Sequence, residues 1–590
     1  MKNLAFALLC LSSVFLLVAC EAPQAEGDAD VIVVGGGIAG LAATLELARG
    51  GARVLVVEAN SVAGGHAVLA GGFALVGTPL QESKGIEDSP DLAFADLMRW
   101  GETNDPAWTR AYVENSREQV HDFLVDLGVE FKVIIPTPEH SVPRFHFTQG
   151  KAVHAIVPML REALRHPNVG LALNTKAIDL IVDDFGVAGV VVQNTRTSET
   201  RELRAPAVLI ATGGFQSNLD KVRATWPDDV PQPERLLVGS GYFALGAGFD
   251  LAQSAGAALT HLDRHVTFTN GIPDPRDPQN RRALVTSNDQ AVWINLKGQR
   301  FVNETASEKE KLPFVLAQEP ATYWAIFDAD GKRALRVRDA TWLNAETVDN
   351  DIVNNASITK IAQTIEDLAE KTGLPSDRLK ASIDRYNVLI EAGEDVDFGR
   401  FKSDDRRRPQ KIVTAPFYAM QFYPVTRKNM GGIAIDSAGR AVDGKGNRVP
   451  GLYAAGEVTG VAGINGSYGM SGTFLGPSVY TGRVSGRGVL EDLARRPDWP
   501  AEVLVIDNPA RPAIEWANQG QITDLMSSNV DWMTVLDDER AGYWHFRKAH
   551  KLVQEKGFIC TECHSEAFPM APPATVDVRL AQTQICTTCH

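Results

Sequence analysis

Near its start, the chain places two short apolar runs on either side of a longer segment whose apolar residues have helical spacing. The stretch DVIVVGGGIAGLAATLELARGGARVLVVEA, residues 30–59, predicts a strand, a glycine turn, a helix and a second strand. Further along, ITKIAQTIEDLAEKTGL (358–374) and FLGPSVYTGRVSGRGVLEDLARR (474–496) have the spacing of helices. RRPDWPAEV (495–503) is typical of a linker. The pattern predicts an α/β body followed by a small separate segment.

The glycine turn after the first strand carries the spacing G-x-G-x-x-G at Gly35, Gly37 and Gly40. The first glycine permits a tight turn, the second lets the backbone approach a pyrophosphate, and the third lets helix and strand pack closely. Glu58 ends the second strand, where a carboxylate can hold a ribose hydroxyl. This stretch predicts a dinucleotide-binding domain and leaves FAD and NAD as open alternatives.

Composition limits the function of the 590-residue chain. With 44% apolar and 22% charged residues it is typical of a globular protein, and its length allows about two to four domains. A net charge of −15 argues against a nucleic-acid partner, because an acidic surface repels phosphates. The cysteines lie at the two ends and none occurs between Cys20 and Cys560, so the main body has no disulfide framework.

The first residues have the pattern of an export signal. Lys2 precedes the apolar run LAFALLCLSSVFLLVA and then Cys20, and this run is too short for a membrane span. Residues 17–20, LVAC, resemble a bacterial lipobox, which implies cleavage before Cys20 and a lipid on its sulfur. A plain signal peptide and an uncleaved anchor stay as alternatives. We predict a signal peptide at 1–19, a tether at 20–28, and a lipoprotein on the periplasmic face of a bacterial membrane, with the outer membrane favoured, or else a periplasmic protein.

The chain ends with two copies of the pattern Cys-x-x-Cys-His. The residues of the two pentads are Cys560, Cys563, His564, Cys586, Cys589 and His590. Two Cys-x-x-Cys pairs separated by 22 residues are close to the spacing of a zinc ribbon. The histidines, which a zinc site does not need, are typical of c-type haem attachment, where both thiols bond to the porphyrin and the histidine ligates the iron. We predict two haems c, with zinc as the alternative.

Each haem iron needs a second axial ligand. Two spare histidines, His545 and His550, precede the pentads in YWHFRKAHKLVQ. They predict bis-histidine haems that transfer electrons. Met570 is the rival ligand, and a helix-surface position is the alternative for both histidines.

Three further stretches favour FAD over NAD. NSVAGGHAVLAGG follows the second strand, APAVLIATGGF ends at Phe215, and VPGLYAAGEVTG spans 449–460. They resemble the FAD-binding motifs of the fumarate reductase and succinate dehydrogenase flavoprotein superfamily, and the resemblance covers residues 29–490. It implies cofactor contacts at Gly64, Gly65, His66, Thr212, Gly213, Gly214, Asp250, Gly456, Glu457 and Gly476. By this resemblance Glu457 holds the ribityl chain, and His66 either bonds covalently to the flavin or packs on its ring.

The resemblance also implies a domain order. The FAD-binding domain is expected in two parts, 29–245 and 409–495, with a capping domain at 246–408 and a dihaem segment at 496–590. The fold class is then a doubly wound, Rossmann-like α/β domain with an inserted α+β cap and a small, mostly helical C-terminal segment. The last helix of the FAD-binding domain is expected to aim its N-terminus at the isoalloxazine, where its dipole stabilises reduced flavin.

Substrate residues follow from the same resemblance. Arg300, in NLKGQRFVNE, matches the motif whose arginine delivers a proton in fumarate reductases; the alternative is that it only anchors a carboxylate or a backbone carbonyl. His265 stands about where the family has a histidine. Where the family has an HHTMGG-type motif, this chain has TRKNMGG, so Arg427 and Lys428 stand at the histidine positions. The family's GANRLGGN motif supplies an arginine, and the matching segment of this chain has none. Fumarate is therefore not the expected substrate but an anion is, with the arginine pair that begins at Arg281 either adding to the site or solvated.

One segment is more similar to a related family. GSYGMSGTFLGP resembles the GSYPGPGATLGP-type segment of 3-ketosteroid dehydrogenases, in which a tyrosine and a glycine amide polarise a ketone. The matching residues are Tyr468 and Gly472. The capping-domain tyrosine of those enzymes has no counterpart in TASEKEK, so only a hydrogen-bond donor at Tyr468 is carried over.

These motifs predict an exported flavocytochrome c. Electrons are expected to come from a membrane quinol oxidoreductase or a periplasmic cytochrome c, pass through the haems to FAD, and reduce an activated C=C bond of a small substrate. A dehydrogenase that releases electrons through the haems and a non-catalytic electron relay stay as alternatives. A sulfide-oxidising flavocytochrome is excluded, because it needs a cysteine pair beside the flavin and none occurs between residues 21 and 559.

Overall fold

The structure is a computed structural model that describes residues 28–60, 63–148, 152–195, 197–339, 345–402 and 408–496. The strands are β1 (Val31–Val34), β2 (Val54–Val57), β3 (Phe73–Ala74), β4 (Phe131–Ile135), β5 (Phe145–Thr148), β6 (Val169–Ala172), β7 (Thr175–Asp183), β8 (Gly186–Asn194), β9 (Thr200–Arg204), β10 (Ala207–Ile210), β11 (Leu237–Val238), β12 (Leu259–Thr260), β13 (His265–Pro273), β14 (Ala283–Ser287), β15 (Val292–Ile294), β16 (Tyr323–Phe327), β17 (Arg336–Val337), β18 (Thr359–Ala362), β19 (Phe417–Asn429), β20 (Gly432–Ile433), β21 (Arg440–Val442) and β22 (Arg448–Ala454). The helices are α1 (Ile38–Arg49), α2 (Pro79–Glu82), α3 (Pro90–Gly101), α4 (Pro106–Ser116), α5 (Phe123–Asp126), α6 (Val153–Arg165), α7 (Leu219–Ala224), α8 (Ala247–Ser254), α9 (Glu308–Leu316), α10 (Ala345–Val348), α11 (Ile365–Thr372), α12 (Ser376–Ala392) and α13 (Leu475–Leu493). Within the described ranges no helix is both long and apolar enough to cross a membrane.

A mostly parallel sheet forms the base of the larger domain. Its strand order is β21-β22-β10-β1-β2-β6, and neighbours run parallel except β21 with β22. Every residue of β1 is buried, as expected of a central strand covered on both faces. The predicted order of strand, glycine turn, helix and strand over residues 30–59 is confirmed.

Helices α1 and α13 lie on one face of this sheet and pack closely together. Glycines make the contact possible, because a Cβ atom at Gly482 would lie 2.3 Å from the Ala39 carbonyl oxygen. A Cβ atom at Gly486 would lie 3.0 Å from the Ala43 carbonyl oxygen. The core on the opposite face joins the sheet to α8 and to the antiparallel β7-β8-β9 ribbon. This packing sets the start of α13 beside the glycine turn of α1.

A second, mostly antiparallel sheet forms the capping domain. Its order is β15-β16-β19-β13-β14-β17, and β11 and β18 also pair with β19. The 13-residue β19 is the central strand, paired antiparallel with β13, β16 and β18 and parallel with β11. Helices α11 and α12 pack on one face through Leu368 and Ile383, and Val315 of α9 and Ile352 lie in the core of the other face.

The boundaries of the cap differ from the predicted 246–408. Helix α8 belongs to the larger domain, because Phe249 and Ala252 lie in its core. Strands β11 and β19 belong to the sheet of the cap, although they lie outside the predicted boundaries. Pairing between strands that are distant in sequence moves the boundary away from the motif positions. The predicted leader and tether up to residue 27, including Cys20, and the haem segment from residue 497, with its cysteines and histidines, lie outside the described residues.

Candidate active site

The glycine turn after β1 forms an open cradle at the N-terminus of α1. Gly35 has a φ of +108°, and a Cβ atom there would lie 2.5 Å from the Ala211 carbonyl oxygen. A Cβ atom at Gly40 would lie 2.0 Å from the Gly35 carbonyl oxygen. At Gly37 nothing lies within 4 Å of the Cβ position. Packing therefore requires the first and third glycines, and the open side at Gly37 fits a pyrophosphate at the positive end of the helix dipole.

A second glycine loop closes one side of the cradle. The Gly64 amide donates to the Gly36 carbonyl over 2.8 Å, and a Cβ atom at Gly65 would lie 3.4 Å from the Gly37 Cα atom. Glu58 holds the same turn, because its Oε2 atom accepts a hydrogen bond of 2.8 Å from the Gly36 amide. Burial raises the pKa of Glu58, although hydrogen bonds from backbone amides oppose the shift. The structure thus brings the predicted residues of these two loops together.

The residues after β10 border the cradle where it meets Gly35. The Thr212 Oγ1 atom is buried without a hydrogen-bond partner, and Gly213 has a φ of +71° with open space at its Cβ position. A Cβ atom at Gly214 would lie 2.5 Å from Glu457 Oε1. A buried hydroxyl without a partner costs free energy unless a ligand or a water completes its hydrogen bonds. The open turn, the Thr212 hydroxyl and the adjacent Glu457 carboxylate therefore fit FAD.

Two further predicted cofactor residues, Gly456 and Gly476, serve close packing around the cradle. A Cβ atom at Gly456, which has a φ of +78°, would lie 2.7 Å from the Ala39 Cβ atom of α1. A Cβ atom at Gly476, in the first turn of α13, would lie 2.1 Å from the Tyr112 hydroxyl oxygen. Both glycines therefore let neighbouring elements approach the place where α13 begins.

Asp250 is not part of the cradle. Its side chain is 63% exposed on α8 and forms an ion pair with Lys221. Helix α8 approaches the cradle with Gly248 instead, where a Cβ atom would lie 2.1 Å from Thr212 Oγ1. The predicted cofactor contact at Asp250 is therefore corrected, because a shift of two positions on a helix moves a side chain to another face.

A cavity of about 1160 Å³ lies where the larger domain meets the cap. Basic residues on its wall form what we call the cationic sector: Arg282, Arg338, Arg427 and Lys428. Aromatic residues on its wall form what we call the aromatic sector: Trp100, Phe145, Phe147, Tyr468 and Phe474. The volume exceeds the range of roughly 300–1,000 Å³ typical of pockets for small molecules. It is sufficient for a flavin ring with a substrate beside it.

Arg427 and Lys428 end β19 and reach the cavity together. Arg427 donates through Nη1 to the Gly239 carbonyl oxygen, and its Nε atom is buried without a partner. Lys428 Nζ lies 3.4 Å from Glu457 Oε2. Burial lowers the pKa of both side chains, to about 10 for Arg427, because a buried cation loses its hydration. A buried cation with an unpartnered donor is suited to receive an anion.

His66 lies beside these cations. Its Nδ1 atom is 3.2 Å from Ser240 Oγ and 3.3 Å from Lys428 Nζ. Burial, and then the charges of Lys428, Arg427 and Arg282, hold the pKa of His66 well below 6.5. The ring is therefore neutral. The two alternatives for His66, a covalent bond to the flavin and packing on its ring, both stay predictions.

In the predicted arginine pair, the second residue faces the cavity and the first does not. Arg281 is exposed, and its backbone amide donates to Asp277 over 2.7 Å. Arg282 lines the cavity, donates to the Ser240 carbonyl over 2.6 Å, and has its guanidinium 3.8 Å from the centre of the Tyr242 ring. The substrate contact predicted at Arg281 is therefore corrected to Arg282, because neighbouring side chains on extended backbone point to opposite sides.

His265 lies on the cavity wall, but its own chain occupies both ring nitrogens. Nε2 lies 3.0 Å from the Thr225 carbonyl oxygen, and Nδ1 lies 2.8 Å from the Gln216 side-chain nitrogen. A carbonyl can only accept, so Nε2 carries the proton and Nδ1 accepts from Gln216. Burial lowers the pKa of His265, although the hydrogen bond to Thr225 opposes the shift. The geometry gives His265 a positioning role on the wall and leaves no ring nitrogen for the predicted catalytic role.

Arg300 lies in the cap and is absent from the described wall of the cavity. Its Nε and Nη2 atoms each donate to the Glu304 carboxylate over 2.8 Å, and Nη2 also donates to Asp395 over 2.7 Å. Burial alone would lower the pKa of Arg300, but the hydrogen bonds and charges of the two carboxylates raise it. The predicted proton donor is therefore held in a buried ion-pair cluster, where loss of its proton is opposed.

Tyr468 and Gly472 lie at the cavity, as the sequence predicts of substrate residues. The Tyr468 ring is 38% exposed, and the Lys309 ammonium lies 4.2 Å from its centre. Lys309, in the first turn of α9, also donates to the Trp100 carbonyl over 3.0 Å and to Glu102 over 2.6 Å. Lys309 thus ties the cap to the loop that carries Tyr468.

Sequence reasoning missed several residues of the cavity wall. They are Trp100, Thr137, Glu139, Lys309 and Arg338. They come from the end of α3, the turn between β4 and β5, the start of α9 and the segment after β17. None belongs to a motif that local sequence would mark, and the tertiary fold alone brings them to one cavity.

Comparisons with known proteins agree with this geometry. A family model described as an FAD binding domain matches residues 30–475. The Fumarate reductase (cytochrome) of Shewanella frigidimarina is 30% identical over 471 residues, which cover 78% of this chain and 76% of that protein. A solved structure, the open conformation of a flavocytochrome c3 fumarate reductase, has a TM-score of 0.65 and 27% identity, with 78% of each chain covered.

The alignments with two other relatives cover nearly the whole length of those proteins. A KsdD-like steroid dehydrogenase of Mycobacterium tuberculosis is 29% identical, with 80% of this chain and 97% of that protein covered. A vinyl phenol reductase of Lactiplantibacillus plantarum is 29% identical, with 78% of this chain and 95% of that protein covered. The chain therefore belongs to the family of the FAD binding domain and is an FAD-dependent oxidoreductase acting on CH–CH or C=C bonds.

Proposed function

We propose that this protein is an exported flavocytochrome c that reduces an activated C=C bond of a small anionic molecule. The observation that carries the proposal is the position of the cationic sector, which lines the cavity while its Lys428 lies 3.4 Å from Glu457 beside the FAD cradle. Two of the relatives are reductases by name, which supports the same class of reaction.

Bound FAD supplies hydride transfer in such a reaction. The cationic sector binds the anionic group of the substrate: Arg427 offers its unpartnered Nε atom, and Arg282 adds a second guanidinium. Lys428 of the same sector lies 3.4 Å from Glu457, so it balances the charge of the carboxylate expected at the ribityl chain. The loop at Gly71 and Gly72 also lines the cavity.

Reduction of a C=C bond requires one hydride and one proton. Among the residues of the described wall, Tyr468 is our candidate for the proton donor, because its partly exposed ring lies at the cavity. The Lys309 ammonium beside the ring stabilises the negative charge that remains on the oxygen after transfer. Tyr468 then regains its proton from solvent, so the residue is unchanged over one cycle.

We propose that electrons enter the protein through two c-type haems. Cys560, Cys563, Cys586 and Cys589 would attach them, and His564 and His590 would ligate the irons, with His545 and His550 as the second ligands. The support comes from the two pentads and from the predicted export signal at residues 1–19. The electron partner on this proposal is a membrane quinol oxidoreductase or a periplasmic cytochrome c, and Cys20 carries the lipid anchor.

The test uses the full-length protein with its cofactors, reduced under anaerobic conditions. Unsaturated acids and styrenes are added one at a time, and the haem and flavin spectra are followed. We expect at least one unsaturated acid to reoxidise both spectra and to be converted to the saturated product. A protein that stays reduced with every unsaturated compound would contradict the proposal.

The reverse reaction is the second candidate, favoured by one observation. Tyr468 and Gly472, the pair that resembles the ketone-polarising residues of 3-ketosteroid dehydrogenases, both line the cavity. The steroid dehydrogenase-like relative is consistent with this direction. If saturated ketones reduce the oxidised protein while unsaturated acids do not reoxidise the reduced one, the dehydrogenase is the correct assignment.

A further inference from the structure

We propose that the substrate is an unsaturated monocarboxylate with an aromatic ring that carries a hydroxyl group. On this assignment the cationic sector holds the carboxylate, the aromatic sector holds the ring, and Glu139 accepts the ring hydroxyl. The inference rests on the proposed reductase function and names the substrate class of that same cavity.

The cationic sector is suited to bind the carboxylate of the substrate. Arg427 is buried, and its Nε atom has no hydrogen-bond partner. Arg282 donates one hydrogen bond to a backbone carbonyl. The Glu457 carboxylate beside them lies nearest Lys428, at 3.4 Å. The guanidiniums therefore have donors left for an anionic group. Burial lowers the pKa of both arginines, because a buried cation loses its hydration.

The aromatic sector lies between the cationic sector and Glu139. At one side, Lys428 Nζ is 5.4 Å from the centre of the Phe474 ring. A Cβ atom at Gly469 would lie 2.6 Å from that ring, so the loop that continues to Ser471 begins against Phe474. At the other side, the Ser471 hydroxyl donates to Glu139 Oε1 over 3.2 Å.

Aromatic rings form the middle of the aromatic sector. The Phe145 and Phe147 rings have centroids 4.4 Å apart, and both lie against Gly71, where a Cβ atom would be 3.0 Å from Phe147 and 3.3 Å from Phe145. Phe145 also meets Gly472, whose Cβ position is 2.7 Å from it. Aromatic side chains on a cavity wall favour a planar apolar group by stacking and edge contacts.

Glu139 and Thr137 give this end of the cavity its polarity. Glu139 Oε2 and Thr137 Oγ1 are both buried without a hydrogen-bond partner, and both residues line the cavity. A carboxylate oxygen accepts strongly from a hydroxyl group, which would satisfy Glu139. The same charge would repel the second carboxylate of a dicarboxylate such as fumarate. Glu139 would therefore bind a ring hydroxyl and disfavour a dicarboxylate, and both effects favour a hydroxylated aromatic monocarboxylate.

Turnover of five compounds by the reduced holoenzyme tests the assignment: 4-hydroxycinnamate, cinnamate, crotonate, fumarate and 4-hydroxystyrene. We expect kcat/KM to be highest for 4-hydroxycinnamate and roughly tenfold or more lower for cinnamate, since a hydrogen bond to a charged group is lost. Crotonate and fumarate should be lower again. If fumarate is the best substrate, the inference is wrong and the reductase function stands. If no compound is reduced, the function itself is wrong.

Two pairs of variants locate the contacts. Glu139→Ala should lower kcat/KM for 4-hydroxycinnamate to the level of cinnamate and leave cinnamate unchanged, whereas Glu130→Ala, on the exposed part of the same hairpin, should change neither. Arg282→Ala should lower kcat/KM roughly ten- to a hundredfold for both cinnamates and leave 4-hydroxystyrene, which has no carboxylate, unchanged. Arg281→Ala is the matched control for Arg282. Equal losses for all compounds in Glu139→Ala or Arg282→Ala would overturn the assigned contact.

Discussion

Replacing Arg300 by alanine separates a chemical role from a structural one. Its side chain is 6% exposed, and those of Glu304 and Asp395 are 2% and 0% exposed. Arg400 completes the cluster, with Nη1 at 3.2 Å from Glu304 Oε2. Two guanidiniums and two carboxylates cancel, so the cluster is neutral. The Arg300→Ala variant leaves a net negative charge buried within the cap.

The cost follows from that imbalance. Breaking a buried ion pair by removing one partner destabilises a protein by about 3–5 kcal/mol. For a domain the size of the cap, this corresponds to a fall in melting temperature on the order of 10 °C. Turnover by the flavin-loaded fraction should stay within about threefold of the parent, because Arg300 is absent from the described cavity wall.

The pH dependence of the deficit gives a second signature. In the parent, burial alone would raise the pKa of Asp395, but the hydrogen bonds from Arg300 hold it below 3.8, so this stability is lost only as pH falls below that value. In the variant, Asp395 has lost its guanidinium partner, and burial raises its folded-state pKa above the unfolded one. Protonation then favours the folded state, so the stability deficit should shrink between pH 8 and pH 5.

The assay compares thermal unfolding and turnover per bound flavin. Arg385→Ala is the matched control, because its ion pair with Asp397 is on the surface of the same domain and should contribute little to stability. A variant at Arg300 that melts like the parent but loses more than a hundredfold in turnover would refute this reasoning. It would restore the proton-donor role predicted from the motif.

Four further predictions follow from the cradle, the cations and the C-terminal pentads. Gly37→Ala should fold but retain less FAD, because its Cβ position is open to the ligand, whereas Gly40→Ala should also lower the melting temperature, because its Cβ would lie 2.0 Å from a carbonyl oxygen; flavin content and thermal unfolding check both. KM for a carboxylate substrate should rise with pH below 10.5, because burial lowers the pKa of Lys428 and its charge is lost earlier than usual; in Lys428→Arg the rise should move to higher pH. Acid precipitation should release the flavin to the supernatant, and flavin fluorescence kept in the digested pellet would instead indicate a bond to His66, whereas haem colour stays in the pellet in either case. The pyridine haemochrome spectrum of the full-length protein should give two haems c per chain, and zinc in their place would contradict the haem assignment.

The cradle could be predicted from sequence because its determinants are local. Gly35, Gly37 and Gly40 act within one turn, and their spacing encodes both the sharp bend and the close packing of α1. Arg300 shows where this reasoning fails. One of its two partners, Asp395, lies 95 positions away, so no local pattern shows that the guanidinium is already paired.

The cavity wall was predictable at residues that stand inside motifs and not elsewhere. Arg427 and Tyr468 belong to segments with recognisable spacing, whereas Glu139 and Lys309 lie in an ordinary turn and at a helix start. Of the arginine pair, Arg282 lines the cavity and Arg281 does not. The choice between Arg281 and Arg282 depends on which side of the backbone meets the cap, and sequence does not give that direction.

Strand β19 has a consequence for how such a site diverges. It is hydrogen-bonded to β11, β13, β16 and β18, and its last residues include Arg427 and Lys428. A strand held by so many neighbours cannot shift its end without moving the whole sheet. The fold therefore fixes the position of the end of β19 in the site, while the side chains at this end can change by single substitutions. Related enzymes can exchange one substrate for another there without inserting or deleting a residue.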